Sequence, residues 1–169
     1  MIKIYTDGSA IGNPWPWWRW AIIHGRTETK LSWWKEYTTN NVMELIAVIE
    51  ALEWVLKKYS WTQIQQETGL GLFGSDIVHD IPHVQDTITI YTDSTYVQKW
   101  ITQWIHTWIK RDRRKSKGWQ MISNVELWQR LYTLTLVFDE LSWQRVKAHV
   151  WNRYNEEVDD LARAQAKCF

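Results

Sequence analysis

The sequence predicts an α/β domain, a five-stranded mixed sheet with helices on both faces. Three observations predict it. The first third holds three short runs with strand character separated by turn residues, which reads as an antiparallel meander. From Asn41 the apolar period changes from two to that of a helix. Beyond that, strand and helix patterns alternate, giving the order β-β-β-α-β-α-α-β-α, which places helices against a sheet.

Ile2 to Thr6 forms the first strand and ends at the turn pair Asp7-Gly8. Gly8 to Pro16 is turn-rich, and Ala21–His24 and Thr27–Ser32 read as the next two strands. Thr38 to Asn41 offers cap chemistry to an amphipathic helix over Asn41–Tyr59, whose Met43, Leu45, Ile46, Ile49, Leu52, Val55 and Leu56 fall near i, i+3, i+4 spacing. Trp61 to Asp86 has no period and contains Gly69, Gly71, Gly74 and Pro82, so it reads as an insertion loop within a single domain spanning residues 1–169. Thr87–Thr92 is a β-branched strand ending at Asp93, and Thr95–Ile109 and Val125–Val137 are helices. Leu141–His149 is a strand and Asn155–Lys167 a last helix. The chain shows no internal repeat.

Composition is that of a folded soluble domain, with 45% hydrophobic and 23% charged residues in 169. No apolar run approaches the roughly 20 residues that span a bilayer, and the N-terminus reads as a strand rather than a signal peptide. The single cysteine, Cys168, has no partner for an internal disulfide. A cytoplasmic, monomeric protein with no membrane association is the default expectation. Net charge is +1, which does not announce a nucleic-acid binder, but the run Lys110 to Lys117 holds six basic residues and one acid.

Four acids fall at or near the ends of these elements: Asp7 after the first strand, Glu44 in the first turn of the first helix, Asp93 after the fourth strand, Asp159 in the last helix. Adjacent strands would make neighbours of acids at their carboxyl ends. A group of carboxylates repels itself without cations and suits Mg²⁺, which takes hard oxygen ligands. Two such ions about 4 Å apart can stabilise both attacking and leaving oxygens of a phosphodiester. Each acid alone is better explained by turn or helix placement.

Longer motifs sharpen this. Tyr5-Thr6-Asp7-Gly8-Ser9 with Gly12-Asn13-Pro14, then Thr38-Thr39-Asn40-Asn41-Val42-Met43-Glu44-Leu45, then Tyr91-Thr92-Asp93-Ser94 with Tyr96-Val97, then Val146-Lys147-Ala148-His149 and Asn155 to Ala162, resemble the ordered motifs of type 1 ribonuclease H. The resemblance covers most of the chain outside about 61–86. It implies the ribonuclease H-like fold, with three antiparallel strands followed by two parallel ones. It also implies an endonuclease that hydrolyses the RNA strand of RNA–DNA hybrids, leaving 5′-phosphate and 3′-hydroxyl ends. Asp7, Glu44, Asp93 and Asp159 resemble the acidic tetrad that holds two Mg²⁺ or Mn²⁺ ions, and His149 the histidine that assists catalysis. Asn13, Asn40 and Asn41 resemble residues facing the minor groove of the hybrid, where amides can meet 2′-hydroxyls, and Thr39 part of a phosphate contact. Trp104, Trp108, Lys110, Arg111, Arg113, Arg114, Lys115 and Lys117 resemble the basic protrusion that grips the DNA strand, an affinity without sequence reading.

Three features depart from the family pattern. Thr95 stands where a longer amide is frequent, and the insertion is long. Fifteen tryptophans against seven glycines invert the usual proportion. Trp15, Trp17, Trp18, Trp20, Trp33, Trp34, Trp100, Trp119 and Trp151 stand where the family pattern has glycine. Glycine serves such places through positive φ and close backbone approach, so strained turns are expected at these tryptophans. The distribution is that of UGA codons in a lineage reading UGA as glycine, the competing explanation being a surface that stacks on bases. Two other functions compete with the nuclease: a hybrid-binding module without catalysis, and a transposase or exonuclease of the same fold. The full set of four acids and the Asn40-Asn41 and basic segments favour the hybrid nuclease.

Overall fold

A computed structural model describes residues 1–9, 17–25, 28–35, 38–64, 86–110, 122–146 and 153–166. Strands β1 (Ile2–Ser9), β2 (Trp17–His24) and β3 (Glu28–Lys35) precede helix α1 (Asn40–Ile64). After β4 (Ile88–Thr92) come α2 (Thr95–Lys99), a π-helical turn (Trp100–Trp104) and α3 (Ile105–Lys110). Helix α4 (Val125–Thr135), β5 (Leu141–Arg145) and α5 (Arg153–Ala166) complete the order.

The five strands form one sheet in the order β3-β2-β1-β4-β5. β1 pairs antiparallel with β2, and β2 with β3, while β1–β4 and β4–β5 are parallel. The expected mixed sheet is therefore present, with the first strand at its centre. β1 and β4 carry nearly the same hexapeptide, Ile2-Lys3-Ile4-Tyr5-Thr6-Asp7 and Ile88-Thr89-Ile90-Tyr91-Thr92-Asp93, and pair in register from Ile2↔Ile88 to Thr6↔Thr92. The likeness is too short to stand out along the chain and becomes visible when the strands lie side by side.

Strand alternation divides the core in two. Ile2, Ile4, Ala21, Ile23, Ile88 and Ile90 pack with Leu45, Val48, Ile49 and Leu52 of α1. Tyr5 and Ile22 face the other way and pack with Val158 of α5. Helix α1 is less amphipathic than its sequence suggests: Met43 and every residue from Leu45 to Ile49 are buried, as are Ala51, Leu52, Val55 and Leu56. It lies against β1 and β2 and also against α4, and a helix covered on several sides is apolar on several sides. Arg130 of α4 holds Glu53 of α1 by donating from Nε and Nη2 to its two carboxylate oxygens, with Glu50 alongside.

Several expected boundaries are corrected. α1 runs to Ile64, so Trp61 to Ile64 is helical rather than loop. The helix expected over Thr95–Ile109 is interrupted by the π turn, where the Trp100 ring meets those of Tyr96, Trp104, Trp108 and Trp128. β5 ends at Arg145, and β1 continues through Asp7 to Ser9. β2 and β3 extend through Trp17, Trp18, Trp20, Trp33 and Trp34, with Trp18 paired to Trp34 where strained turns were expected. Among the described residues, the sole non-glycine at positive φ is Asn124. Strained turns are thus absent at the six of these tryptophans that lie in described backbone, the sixth being Trp100 at φ −61°. Trp15, Trp119 and Trp151 lie outside the described residues. Among the described residues, no helix is long and apolar enough to cross a membrane.

Candidate metal centre

The parallel register Thr6↔Thr92 brings the next residue of each strand, Asp7 and Asp93, to one end of the sheet. Asp93 is bracketed locally. The Ser94 N–H donates to Thr92 Oγ1 at 3.1 Å, and Ser94 Oγ caps α2 by accepting from the Val97 N–H at 3.3 Å. The strand therefore stops and the helix starts within two residues, and the aspartate sits between them. Neither Thr92 nor Ser94 was singled out in its own right, though a Ser before an apolar helical run is a readable cap signal.

Glu44 arrives from α1. The helix starts at Asn40, so its first turn contains no acid and Glu44 lies one turn further in, not in the first turn as expected. The favourable helix-end field falls off within that first turn and does not account for it. Glu44 is 5% exposed and Asp7 9% exposed, and Glu44 Oε2 has no hydrogen-bond partner. A buried carboxylate oxygen without a partner calls for an explanation. Each of Asp7, Glu44 and Asp93 offers a carboxylate oxygen, and these atoms lie within 4.8 Å of one another. Burial first, then the charges of Asp7 and Asp93, push the Glu44 carboxyl well above its usual range. All-oxygen donors, mutual repulsion and an orphaned buried oxygen fit a bound divalent cation.

The fourth acid, Asp159, lies in α5, which packs on β1 and β2. Val158 beside it is fully buried against Tyr5 and Ile22. His149 and Asn13 lie outside the described residues, as do Arg111, Arg113, Arg114, Lys115 and Lys117.

Thr39, Asn40 and Asn41 are exposed at the start of α1. Thr39 Oγ1 accepts from the Val42 N–H at 3.4 Å, and its carbonyl accepts from Met43 at 3.0 Å, so it caps the helix. Asn40 stands four residues before Glu44, one turn along the same side of the helix. Trp104 is 45% exposed and Lys110 is exposed, whereas Trp108 is 4% exposed within the core. The expectation of a substrate-facing Trp108 is corrected: Trp104 and Trp108 lie four apart, but α3 turns the latter indole inward among Ile105, Ile122 and Trp128.

A central mixed sheet with a carboxylate trio at the end of its two middle parallel strands defines an α/β protein built to hold a divalent cation. The ribonuclease H family model matches residues 1–68 and 76–167. The chain is 39% identical to ribonuclease H of Neorickettsia sennetsu over 98% of its own length and 93% of that protein. It is 38% identical to ribonuclease H of Bradyrhizobium diazoefficiens, covering 96% and 88%. Its fold is similar to that of LC11-RNase H1 in complex with RNA/DNA hybrid, at a TM-score of 0.60 and 20% identity over 97% of this chain and 95% of that one. RNase H1 from the halophilic archaeon Halobacterium salinarum has a TM-score of 0.59 at 22% identity, covering 99% and 97%. The chain belongs to the ribonuclease H family.

Proposed function

We propose that this protein is an endonuclease that hydrolyses the RNA strand of RNA–DNA hybrids at the centre formed by Asp7, Glu44 and Asp93, with Asp159 as fourth carboxylate. The observation that carries the reading is the convergence of three acids from distant stretches of a ribonuclease H-family chain within 4.8 Å. Two Mg²⁺ ions, with Mn²⁺ as substitute, would be held by these four side chains. When bound, they supply Lewis-acid stabilisation of charge on the attacking and leaving oxygens.

The chain's own residues do the rest. Asp7 on β1 and Asp93 directly after the adjacent β4 hold their oxygens at a spacing set by the sheet, which limits reorganisation during the reaction. Asn40 and Asn41, exposed one turn before Glu44, supply donors and acceptors for 2′-hydroxyls and base edges, joined by Asn13. Thr39 is placed beside them for a phosphate. Trp104 presents an indole for stacking, and Lys110, Arg111, Arg113, Arg114, Lys115 and Lys117 neutralise phosphates of the DNA strand. His149, a residue type that can carry protons in catalysis, assists as the reaction proceeds. The protein acts as a cytoplasmic monomer of one domain, and any insertion lies around residues 69–75, which fall between the two stretches matched by the family model.

A gel assay on labelled hybrid, duplex RNA and duplex DNA, each with and without Mg²⁺, tests this. Cleavage is expected of RNA in the hybrid alone and with Mg²⁺ alone. Hybrid binding without cleavage would leave a binding module, and cleavage of duplex DNA would point to a transposase or exonuclease.

A further inference from the structure

Beneath the carboxylates lies a second built feature. The rings of Tyr5 and Tyr91 stack with centroids 4.7 Å apart and planes 14° from parallel. Tyr5 also meets Tyr154 of α5 at 5.1 Å, and Tyr154 in turn meets His24 of β2 at 5.1 Å. Tyr5 precedes Asp7 by two residues within one strand, which puts both on one side of the sheet. Tyr91 precedes Asp93 by two, and Tyr154 precedes Asp159 by five. The same stretch of α5 is fastened twice more before Asp159: Glu157 pairs with Lys30 of β3, and Val158 is buried against Tyr5 and Ile22.

We propose that Tyr5, Tyr91 and Tyr154 are positioning residues for the metal centre: their contact sets where α5 delivers Asp159 relative to Asp7 and Asp93. Flat rings with directional contact geometry fix a helix more closely than aliphatic side chains of similar size, which slide with little loss. The contact is made by the strands that carry two of the acids and the helix that carries the fourth, so any shift of Tyr154 is passed to Asp159 within one and a half turns. None of the three tyrosines touches substrate in this scheme. The inference rests on the assignment of Asp159 to the centre.

The test is a Mn²⁺ titration by calorimetry on the unmodified protein, Tyr154→Ala, Tyr154→Phe, Asp159→Asn and the Tyr154→Ala/Asp159→Asn double variant, with circular dichroism as a check of folding. Tyr154→Ala is expected to bind Mn²⁺ roughly three- to tenfold more weakly, Tyr154→Phe to bind as the unmodified protein does, and Tyr154→Ala to have no further effect once Asp159 is replaced. A folded Tyr154→Ala with unchanged Mn²⁺ affinity overturns the proposal, as does an equal loss with and without Asp159. An Asp159→Asn variant that binds Mn²⁺ undiminished removes the assignment of Asp159, and the proposal with it. Weakened binding in Asp159→Asn beside an unaffected Tyr154→Ala removes the proposal alone. If Tyr154→Ala does not fold, Tyr154→Leu, which keeps apolar bulk and loses the ring, takes its place under the same criteria.

Discussion

Asp7 and Asp93 are level with one another because each directly follows a threonine, Thr6 or Thr92, and those threonines are partners in a parallel pair. Their spacing is a property of the sheet rather than of a loop. Replacing either with asparagine keeps size while removing the charge and turning one acceptor oxygen into an NH2 donor. Asp7→Asn and Asp93→Asn are each expected to lower hybrid cleavage by more than about a hundredfold. Hybrid affinity, which comes from phosphate neutralisation elsewhere, should change little. Single-turnover cleavage and a filter-binding assay measure the two effects separately, and parallel losses of both would count against the division of labour.

Glu44 makes the metal-free protein sensitive to pH. Its carboxyl is raised by burial and then by Asp7 and Asp93, against an ordinary value of 4.5. Between the ordinary and the raised range the folded state holds more protons than the unfolded state. Stability therefore falls as pH rises through that window. Thermal melts of chelator-treated protein should show this fall, and Glu44→Gln should flatten it. Mg²⁺ should reverse it, adding about 2.7 kcal/mol at a hundred times its dissociation constant. An unchanged pH slope in Glu44→Gln would contradict the assignment.

Trp104 and Trp108 should separate binding from stability. Trp104→Ala removes a ring that is 45% exposed and edge-packed on Trp100; it is expected to weaken hybrid binding by about 1–3 kcal/mol while lowering stability by no more than about 1.5 kcal/mol. Trp108→Ala opens a hole in the core and should cost about 3–5 kcal/mol of stability. Binding isotherms and chemical denaturation of both variants check the pair.

Asn124 holds the left-handed conformation at φ 61° at the start of α4, and its Nδ2 donates to Tyr96 Oη at 3.4 Å, beside the Trp128 Nε1 donation at 3.3 Å. Asn124→Ala should destabilise by about 1–2 kcal/mol, since a Cβ without a compensating local bond is penalised there. Asn124→Gly should be milder, the backbone gain offsetting the lost contact. Urea midpoints rank the three.

The tryptophan distribution is settled by mass. The chain as written weighs 20.4 kDa. If the nine positions are UGA codons read as glycine in the source lineage, the natural protein will be distinctly lighter, and its gene will show UGA there. A natural mass equal to the written one, or UGG codons, dismisses recoding.

The sheet was legible because period-two runs mark strands by pattern alone; Asp93 does stand directly after β4, whereas Asp7 lies inside β1, which sheet pairing carries on to Ser9. Glu44 was legible as an acid on a helix, but its turn was misjudged, because Asn40 rather than Asn41 opens the helix and boundaries depend on the cap bond from Val42 to Thr39. Trp108 misled for a different reason. Two tryptophans four apart look alike on a helical wheel, and which of them turns inward is decided by tertiary packing, in which Trp108 joins a core cluster that also holds Ile122 and Trp128. The strain expected at the tryptophans was wrong for Trp18 and Trp34, since strand pairing places them in extended backbone that any residue adopts. The aromatic contact of Tyr5, Tyr91 and Tyr154 joins three separate segments, and no local pattern in any one of them reveals it.

The twin hexapeptides of β1 and β4 carry one last implication. With near-identical neighbours along the chain, Asp7 and Asp93 owe their difference in surroundings to rank within the sheet. Asp7 is 9% exposed on the central strand, whereas Asp93 is half-buried where β4 gives way to α2. Of the two carboxylates that face the same cation site, the inner one is the more sheltered anchor and Asp93 the more open to solvent.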